Sequence, residues 1–174
     1  ATPLIHDGLV YLLGAFGHCT CADLTTGAIL WQRELARDFR TPPLDWGLTG
    51  SPLLDGERLY VQPGGTRGSI VALDALSGES IWSAGTAPPG HSSLVLAPHP
   101  SGQQLIGYDK HSLGGWDLET GRRLWSHIPP TTGDFNVPTP IIVGETLFIA
   151  TENNGARLYA FQIDGSLAAE PLAE

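Results

Sequence analysis

Three stretches of this chain share one frame. Cys21-Ala22-Asp23-Leu24-Thr25-Thr26-Gly27-Ala28-Ile29-Leu30-Trp31 comes first, and Ala72-Leu73-Asp74-Ala75-Leu76-Ser77-Gly78-Glu79-Ser80-Ile81-Trp82 second. Gly115-Trp116-Asp117-Leu118-Glu119-Thr120-Gly121-Arg122-Arg123-Leu124-Trp125 is the third. Each reads small-x-Asp-x-x-(Thr/Ser)-Gly-x-x-(Ile/Leu)-Trp, and the tryptophans stand 51 and then 43 residues apart (31 to 82, 82 to 125). A strand-rich repeat with a period of roughly 40–50 residues is the mark of β-propeller blades.

The frame has a physical logic. A strand runs up to the Asp, whose carboxylate can accept backbone N–H groups of the turn that follows, and the hydroxyl before the Gly can do the same more weakly. Gly27, Gly78 and Gly121 supply the positive φ that a tight turn needs. The next strand then presents an apolar residue and the Trp. A Trp buries about 150–250 Å², so one per blade is enough to wedge each sheet against its neighbour. Trp31, Trp82 and Trp125 are therefore read as core.

Composition narrows the function classes. Nine Lys and Arg against 18 Asp and Glu leave a net charge of −9, so no basic stripe exists to hold nucleic acid or an anionic membrane. The 22 Gly and 14 Pro suit many short strands and turns. No apolar run approaches the roughly 20 residues of a membrane helix. The chain opens at Ala1-Thr2-Pro3 and contains no Met, which reads as a processed or excised piece. Cys19 and Cys21 are i and i+2 on one predicted strand and share a face, with His18 on the other. Two thiols are too few for a disulfide framework and lack further metal ligands, so they are read as buried small hydrophobes.

Taken in order, the blades are expected at about residues 3–35, 51–84, 92–127 and 138–174. The paired turn signals Asp7-Gly8 and Asp55-Gly56 open the first two. Ala36 to Gly50, with Pro42, Pro43, Asp45 and Trp46, reads as a long connection of the kind that often carries function. Gly64 to Gly68 opens a strand rather than a helix, so it reads as a simple connection and not a phosphate cradle. The fourth blade ends on Asp164-Gly165 without its Trp, and Ser166 to Glu174 has only a weak strand pattern. The expected fold is all-β: a propeller with four-stranded antiparallel blades, present as a partial ring of about four blades. It is read as part of a larger ring of about eight, with a closed four-bladed ring as the alternative.

At these residues the chain resembles the quinoprotein-type, PQQ-like β-propeller repeat family. Its tryptophan-docking motif, Ala-x-Asp-x-x-x-Gly-x-x-x-Trp, is matched by Ala72, Asp74, Gly78 and Trp82. Asp23, Gly27 and Trp31 match it with Cys21 at the small position, and Asp117, Gly121 and Trp125 with Gly115. Trp46-Gly47-Leu48-Thr49-Gly50-Ser51-Pro52-Leu53 and Thr151-Glu152-Asn153-Asn154-Gly155 look like bacterial PQQ-like repeat proteins of unassigned role. The resemblance implies export to the periplasm or cell envelope and a parent with about twice as many repeats.

Two activities occur in that family: dehydrogenases using pyrroloquinoline quinone and calcium, and non-catalytic scaffolds of the BamB type. The dehydrogenase site implies two adjacent disulfide-bonded cysteines, Glu and Asn ligands to calcium, and a catalytic Asp. Here Thr20 separates Cys19 from Cys21, and no copy of the catalytic motif is recognisable.

In a propeller the connections between blades and those between second and third strands share one face. The first group contributes Asp45, Trp46, His91, Asp134 and Asn136, and the second Arg67, Lys110, His111, Asn153 and Asn154. This polar rim with one aromatic is the candidate ligand or partner face. Each member has a plainer reading: Trp46 as a plug of its loop, Asp134 and Asn136 as turn caps, His91 and His111 as solvated side chains, Asn153-Asn154-Gly155 as a hairpin turn. No catalytic residue, cofactor or metal ligand is assigned. The leading expectation is an exported, non-catalytic scaffold that binds a protein or peptide. A segment of a PQQ- and calcium-dependent alcohol or sugar dehydrogenase is the first alternative, and a carbohydrate-binding module using Trp46 the second. The other expected partners are the remaining blades of the same propeller.

Overall fold

The computed structural model describes residues 1–174. They form two compact units, Ala1–Pro89 and Gly90–Glu174. In the first unit, strands β1 (Leu4–His6), β2 (Leu9–Leu13), β3 (His18–Asp23) and β4 (Ile29–Glu34) make one up-and-down antiparallel sheet. A single helical turn, α1 (Leu35–Asp38), follows. The second sheet is β5 (Leu53–Asp55), β6 (Arg58–Val61), β7 (Ile70–Asp74) and β8 (Ser80–Ala84).

The second unit repeats the plan with β9 (Val95–His99), β10 (Gly102–Tyr108), β11 (Leu113–Asp117) and β12 (Arg123–His127). Its last sheet has three strands, β13 (Ile141–Val143), β14 (Thr146–Thr151) and β15 (Gly155–Ala160). The tail pairs back onto β15 without forming a regular strand: Ala168 N–H donates to Ala160 C=O at 3.0 Å, and Leu158 N–H donates to Ala173 C=O at 3.0 Å. The fold is the all-β, bladed architecture that the repeat implies, and no helix is long and apolar enough to cross a membrane.

The three repeats close their turns with the same bonds. Asp74 Oδ1 accepts Leu76 N–H at 3.1 Å, Ser77 N–H at 2.7 Å and the Ser77 hydroxyl at 2.8 Å. Asp23 does the same with Thr25 and Thr26, and Asp117 with Glu119 and Thr120. The hydroxyl accepts a turn N–H as the sequence suggests, the one just past the Gly, as Ser77 does from Glu79 at 3.3 Å, and its donation to the Asp is the addition. Gly27, Gly78 and Gly121 have φ of 73°, 73° and 70°. The carboxylate stays charged because these donors favour its anion. Side-chain donation from Thr26 lowers the pKa of Asp23, backbone donation from Ser77 that of Asp74, and side-chain donation from Thr120 that of Asp117.

Each frame also contains a register shift, between Cys21 and Ala22, Ala72 and Leu73, and Gly115 and Trp116. Trp31 pairs with Cys21 but Ile29 with Ala22, which leaves Leu30 as the extra residue of a bulge. Ile81 and Leu124 occupy the same place. The apolar residue before the Trp is therefore not an inward partner of it; Leu30 and Ile81 are 49 % and 45 % exposed.

Cross-strand rows explain why the frame begins with a small residue. Leu4, Tyr11, Cys21 and Trp31 lie side by side across the first sheet, and Leu53, Tyr60, Ala72 and Trp82 across the second. The Trp ring leans over its small partner. At Gly115 even a methyl would collide with Trp125 and Gln104, and that space is used by a 2.7 Å bond from Trp125 Nε1 to Gln104 Oε1.

Each unit has one core, between its two sheets. Tyr11, Cys19, Cys21 and Trp31 pack with Leu59, Val61, Val71 and Leu73. Ile106, Tyr108 and Leu113 pack with Leu147, Ile149 and Tyr159. In both, the face of the leading sheet that carries the Trp row meets the opposite face of the following sheet. Trp31 Nε1 donates to Ala75 C=O at 2.9 Å and its ring covers Gly78, while Arg33 donates to Gly78 C=O at 2.6 Å. Cys19 and Cys21 are both fully buried free thiols, as read from their spacing, and burial pushes the Cys19 thiol up to about 12.

Candidate functional site

The connections expected to share one face do converge within each unit. In the first, Leu48 N–H donates to Ala15 C=O at 2.8 Å and Arg67 N–H to Phe39 C=O at 3.0 Å. The β4–β5 connection therefore lies against the β2–β3 and β6–β7 turns. A Cβ on Gly65 would collide with Phe39 C=O, which is the physical reason for glycine in that turn. Asp45 and Trp46 project from the connection, and Trp46 keeps 56 % of its surface exposed, so it is not a buried plug. Arg67 is also exposed. Ala15, Phe16, Ala36, Pro42, Pro43 and Leu48 line a groove of about 220 Å³ beside them. Phe16 is 84 % exposed at its edge.

In the second unit the bonds run through side chains. Asn153 N–H donates to Asp134 Oδ1 at 2.6 Å, and Asn154 Nδ2 donates to Asp134 Oδ2. Asn154 also exchanges two bonds with the Thr131 backbone, both 2.8 Å. Asn153, Asn154 and Gly155 do turn a hairpin, with Gly155 at φ 67°, and the Asn154 side chain simultaneously anchors the β12–β13 connection. Burial alone pushes Asp134 up, but the donors facing it, the Asn153 amide and Asn154 among them, hold it below the usual carboxylate range.

Asn136 has φ 55° and is 2 % exposed. Its Nδ2 donates to Asp109 C=O at 3.0 Å and to Lys110 C=O at 3.4 Å, and its own C=O accepts His91 N–H at 3.2 Å. One residue thus ties the His91 segment to the Lys110-His111 turn, although they are distant in sequence. Asp134 and Asn136 are consequently struts that cross between loops. They neither cap their own turns nor stand on an open rim. Lys110, His111 and Asn153 remain exposed, and His91 and Asn154 are half-buried.

Several residues of this end were not singled out from the sequence. Asp109 is buried and accepts His111 N–H and Ser112 N–H, both at 2.8 Å. Arg123 reaches it at 3.1 Å and lies 4.9 Å from the Trp116 ring centre. The signal was available, because Asp109-x-x-Ser112 copies the Asp-x-x-(Thr/Ser) spacing of the repeat turns. Glu152 accepts Phe135 N–H at 3.3 Å, and nothing in the local sequence marks that bond. No three His, Cys, Asp or Glu side chains are grouped as metal ligands.

A sequence-family profile described as the outer membrane protein assembly factor BamB, of the PQQ repeat type, matches residues 1–170. The chain belongs to this family. Among individual relatives it is 32 % identical to a quinohemoprotein alcohol dehydrogenase, ADH IIB of Pseudomonas putida, over 72 % of this chain and 19 % of that protein. It is 26 % identical to the outer membrane protein assembly factor BamB of Yersinia pestis, over 92 % of this chain and 36 % of that one. The chain thus spans only about a fifth to a third of these BamB and dehydrogenase relatives. The solved quinohemoprotein alcohol dehydrogenase of Comamonas testosteroni superposes with a TM-score of 0.69 at 16 % identity, covering 96 % of this chain and 34 % of that one. At that identity the likeness is one of fold.

Proposed function

We propose that the chain is part of an exported, non-catalytic propeller scaffold that holds a protein or peptide partner on the loop end of its blades. The observation that supports this most is the loop end of the first unit, where an apolar groove with exposed Phe16 at its edge rests on a hydrogen-bonded base and Trp46, in the same β4–β5 connection, is exposed. Exposed aromatics over a preorganised base are the usual anchors of a protein contact. The match to an assembly factor agrees with that role.

The dehydrogenase reading is favoured by the 32 % identity to a quinohemoprotein enzyme. The residues present do not fit the quinone site. Cys19 and Cys21 are separated by Thr20 and are sealed in the first unit's core, so they cannot line an open channel. Asp134 and Asn136, one acidic and one amide side chain of the loop end, are committed to neighbouring loops.

Retention of envelope proteins on the immobilised chain tests the scaffold reading. The intact chain is expected to retain a discrete partner, and Phe16→Ala with Trp46→Ala to lose it at least tenfold, with circular dichroism unchanged. Saturable binding of pyrroloquinoline quinone with calcium, seen as an absorbance shift, would transfer the assignment to the dehydrogenase reading.

A further inference from the structure

The clasp at the loop end of the second unit is built on an Asn-Gly pair. The chain has three asparagines, Asn136, Asn153 and Asn154, followed by Val137, Asn154 and Gly155. A backbone nitrogen that attacks the side-chain carbonyl carbon of the preceding asparagine closes a five-membered imide. Glycine has no Cβ and screens that nitrogen least. Asn136 is sealed at 2 % exposure and precedes a β-branched residue, whereas Asn154 is half-buried and Gly155 exposed. A Cβ on Gly155 would meet nothing within 4 Å, so the imide has room beside it.

The fold holds the Asn154 carboxamide away from this reaction. Its Nδ2 donates to Thr131 C=O at 2.8 Å and to Asp134 Oδ2, and its Oδ1 accepts Thr131 N–H at 2.8 Å. Attack by Gly155 requires the carboxamide to leave all three partners. They belong to the β12–β13 connection, in the same unit as the β14–β15 hairpin.

We propose that Asn154-Gly155 is a deamidation site gated by the Thr131–Asp134 clasp, and that its modification releases the clasp for good. The Gly155 nitrogen bonds to Asn154 Cγ and the Cγ–Nδ2 bond breaks. Nδ2 leaves as ammonia with the proton of the Gly155 amide. Water then opens the imide at either carbonyl, leaving an aspartate or isoaspartate. The product has lost both Nδ2 donors, and it sets a carboxylate against the Thr131 carbonyl and the Asp134 carboxylate. Like charges so placed repel, so an opened clasp cannot close again. The device does not depend on what the loop end binds.

Peptide mass spectrometry tests the site on the whole chain, incubated at mildly alkaline pH in buffer and in guanidinium chloride. In denaturant Asn154 is expected to be modified ahead of Asn136 and Asn153, and in the native state at least tenfold more slowly than in denaturant. Asp134→Ala is expected to speed the native reaction at least fivefold. Loss of structure would do the same, so a second pair of variants tests the release separately. Asn154→Asp and Asn153→Asp add the same charge one residue apart. Hydrogen exchange at the Asn153 amide, which donates to Asp134 at 2.6 Å, is expected to quicken at least tenfold in Asn154→Asp. Asn153→Asp is expected to leave the Thr131 amide as protected as in the wild type. Modification of Asn153 ahead of Asn154 in denaturant overturns the site. Native modification at the denatured rate overturns the gate, as does a folded Asp134→Ala variant with the wild-type rate. Wild-type exchange in Asn154→Asp, or equal loss of Thr131 protection in both variants, overturns the release.

Discussion

At the scale of single residues, the repeat is a set of contacts around one indole. Gly27 and Gly78 share a φ of 73°, but only Gly78 lies beneath a Trp ring, where an added Cβ would come within 2.7 Å of it. Alanine in the left-handed region costs about 1–2 kcal/mol, so Gly27→Ala is expected to lose that much in urea unfolding. Gly78→Ala is expected to lose distinctly more, because the Trp31 ring must also move. Equal losses would show that the ring is not held there. Truncating Trp31 to Ala is expected to cost about 3–5 kcal/mol. The two cysteines should be inert in the native state, since the thiolate is the reactive form and Cys19 titrates only near 12. Mass spectrometry after maleimide treatment should find both unmodified until denaturant is added, and native labelling would contradict their burial.

At the scale of elements, the turns define an acid limit. Asp23, Asp74 and Asp117 have folded-state pKa values below the ordinary carboxylate value because the turn donors favour the anion. Their contribution is complete above the unfolded value of about 3.9 and is lost as pH falls through the lower folded values. Unfolding midpoints followed from neutral pH down to acid should therefore fall more steeply for the wild type than for an Asp74→Asn variant, which keeps an acceptor that does not titrate. Parallel profiles would refute the assignment. These turns were legible because their donors lie within three residues of the Asp. Helix α1 was not legible: its four residues are too few to display a period. The turn forms because Leu35 is buried and its N–H reaches Gly17 C=O at 2.8 Å, with Arg37 pairing to Glu34 at 2.7 Å. Convergence of the loops was readable from up-and-down strand alternation. The burial of Asp134 and Asn136 was not, since their partners lie 19 and 27 residues away.

At the scale of the whole molecule, each unit carries its own hydrophobic cluster. Repeat architectures add up stability from local interfaces, so damage should stay local. Leu59→Ala empties a fully buried position in the first unit and is expected to cost about 2–5 kcal/mol. Hydrogen exchange should then quicken across residues 1–89, while the amides of Leu147, Ile149 and Tyr159 keep most of their protection. An equal loss in both units would show one cooperative core.

What the sequence by itself determined is the part written in short-range chemistry. Asp, hydroxyl, Gly and Trp at set spacing specify a turn, a bulge and a wedge, and three copies of that specify stacked sheets and membership in a bladed family. The tertiary structure alone decided which of the loop residues are exposed. Asn136 and Trp46 look equally available in the sequence, yet one is sealed by bonds to the Asp109 and Lys110 carbonyls and the other keeps 56 % of its surface exposed. It also decided that Phe148 and Leu12 are open while Tyr11 and Val61, at matching register, are closed. Burial depends on what lies across a sheet face. That neighbour is set by chain segments tens of residues away, which no local pattern encodes.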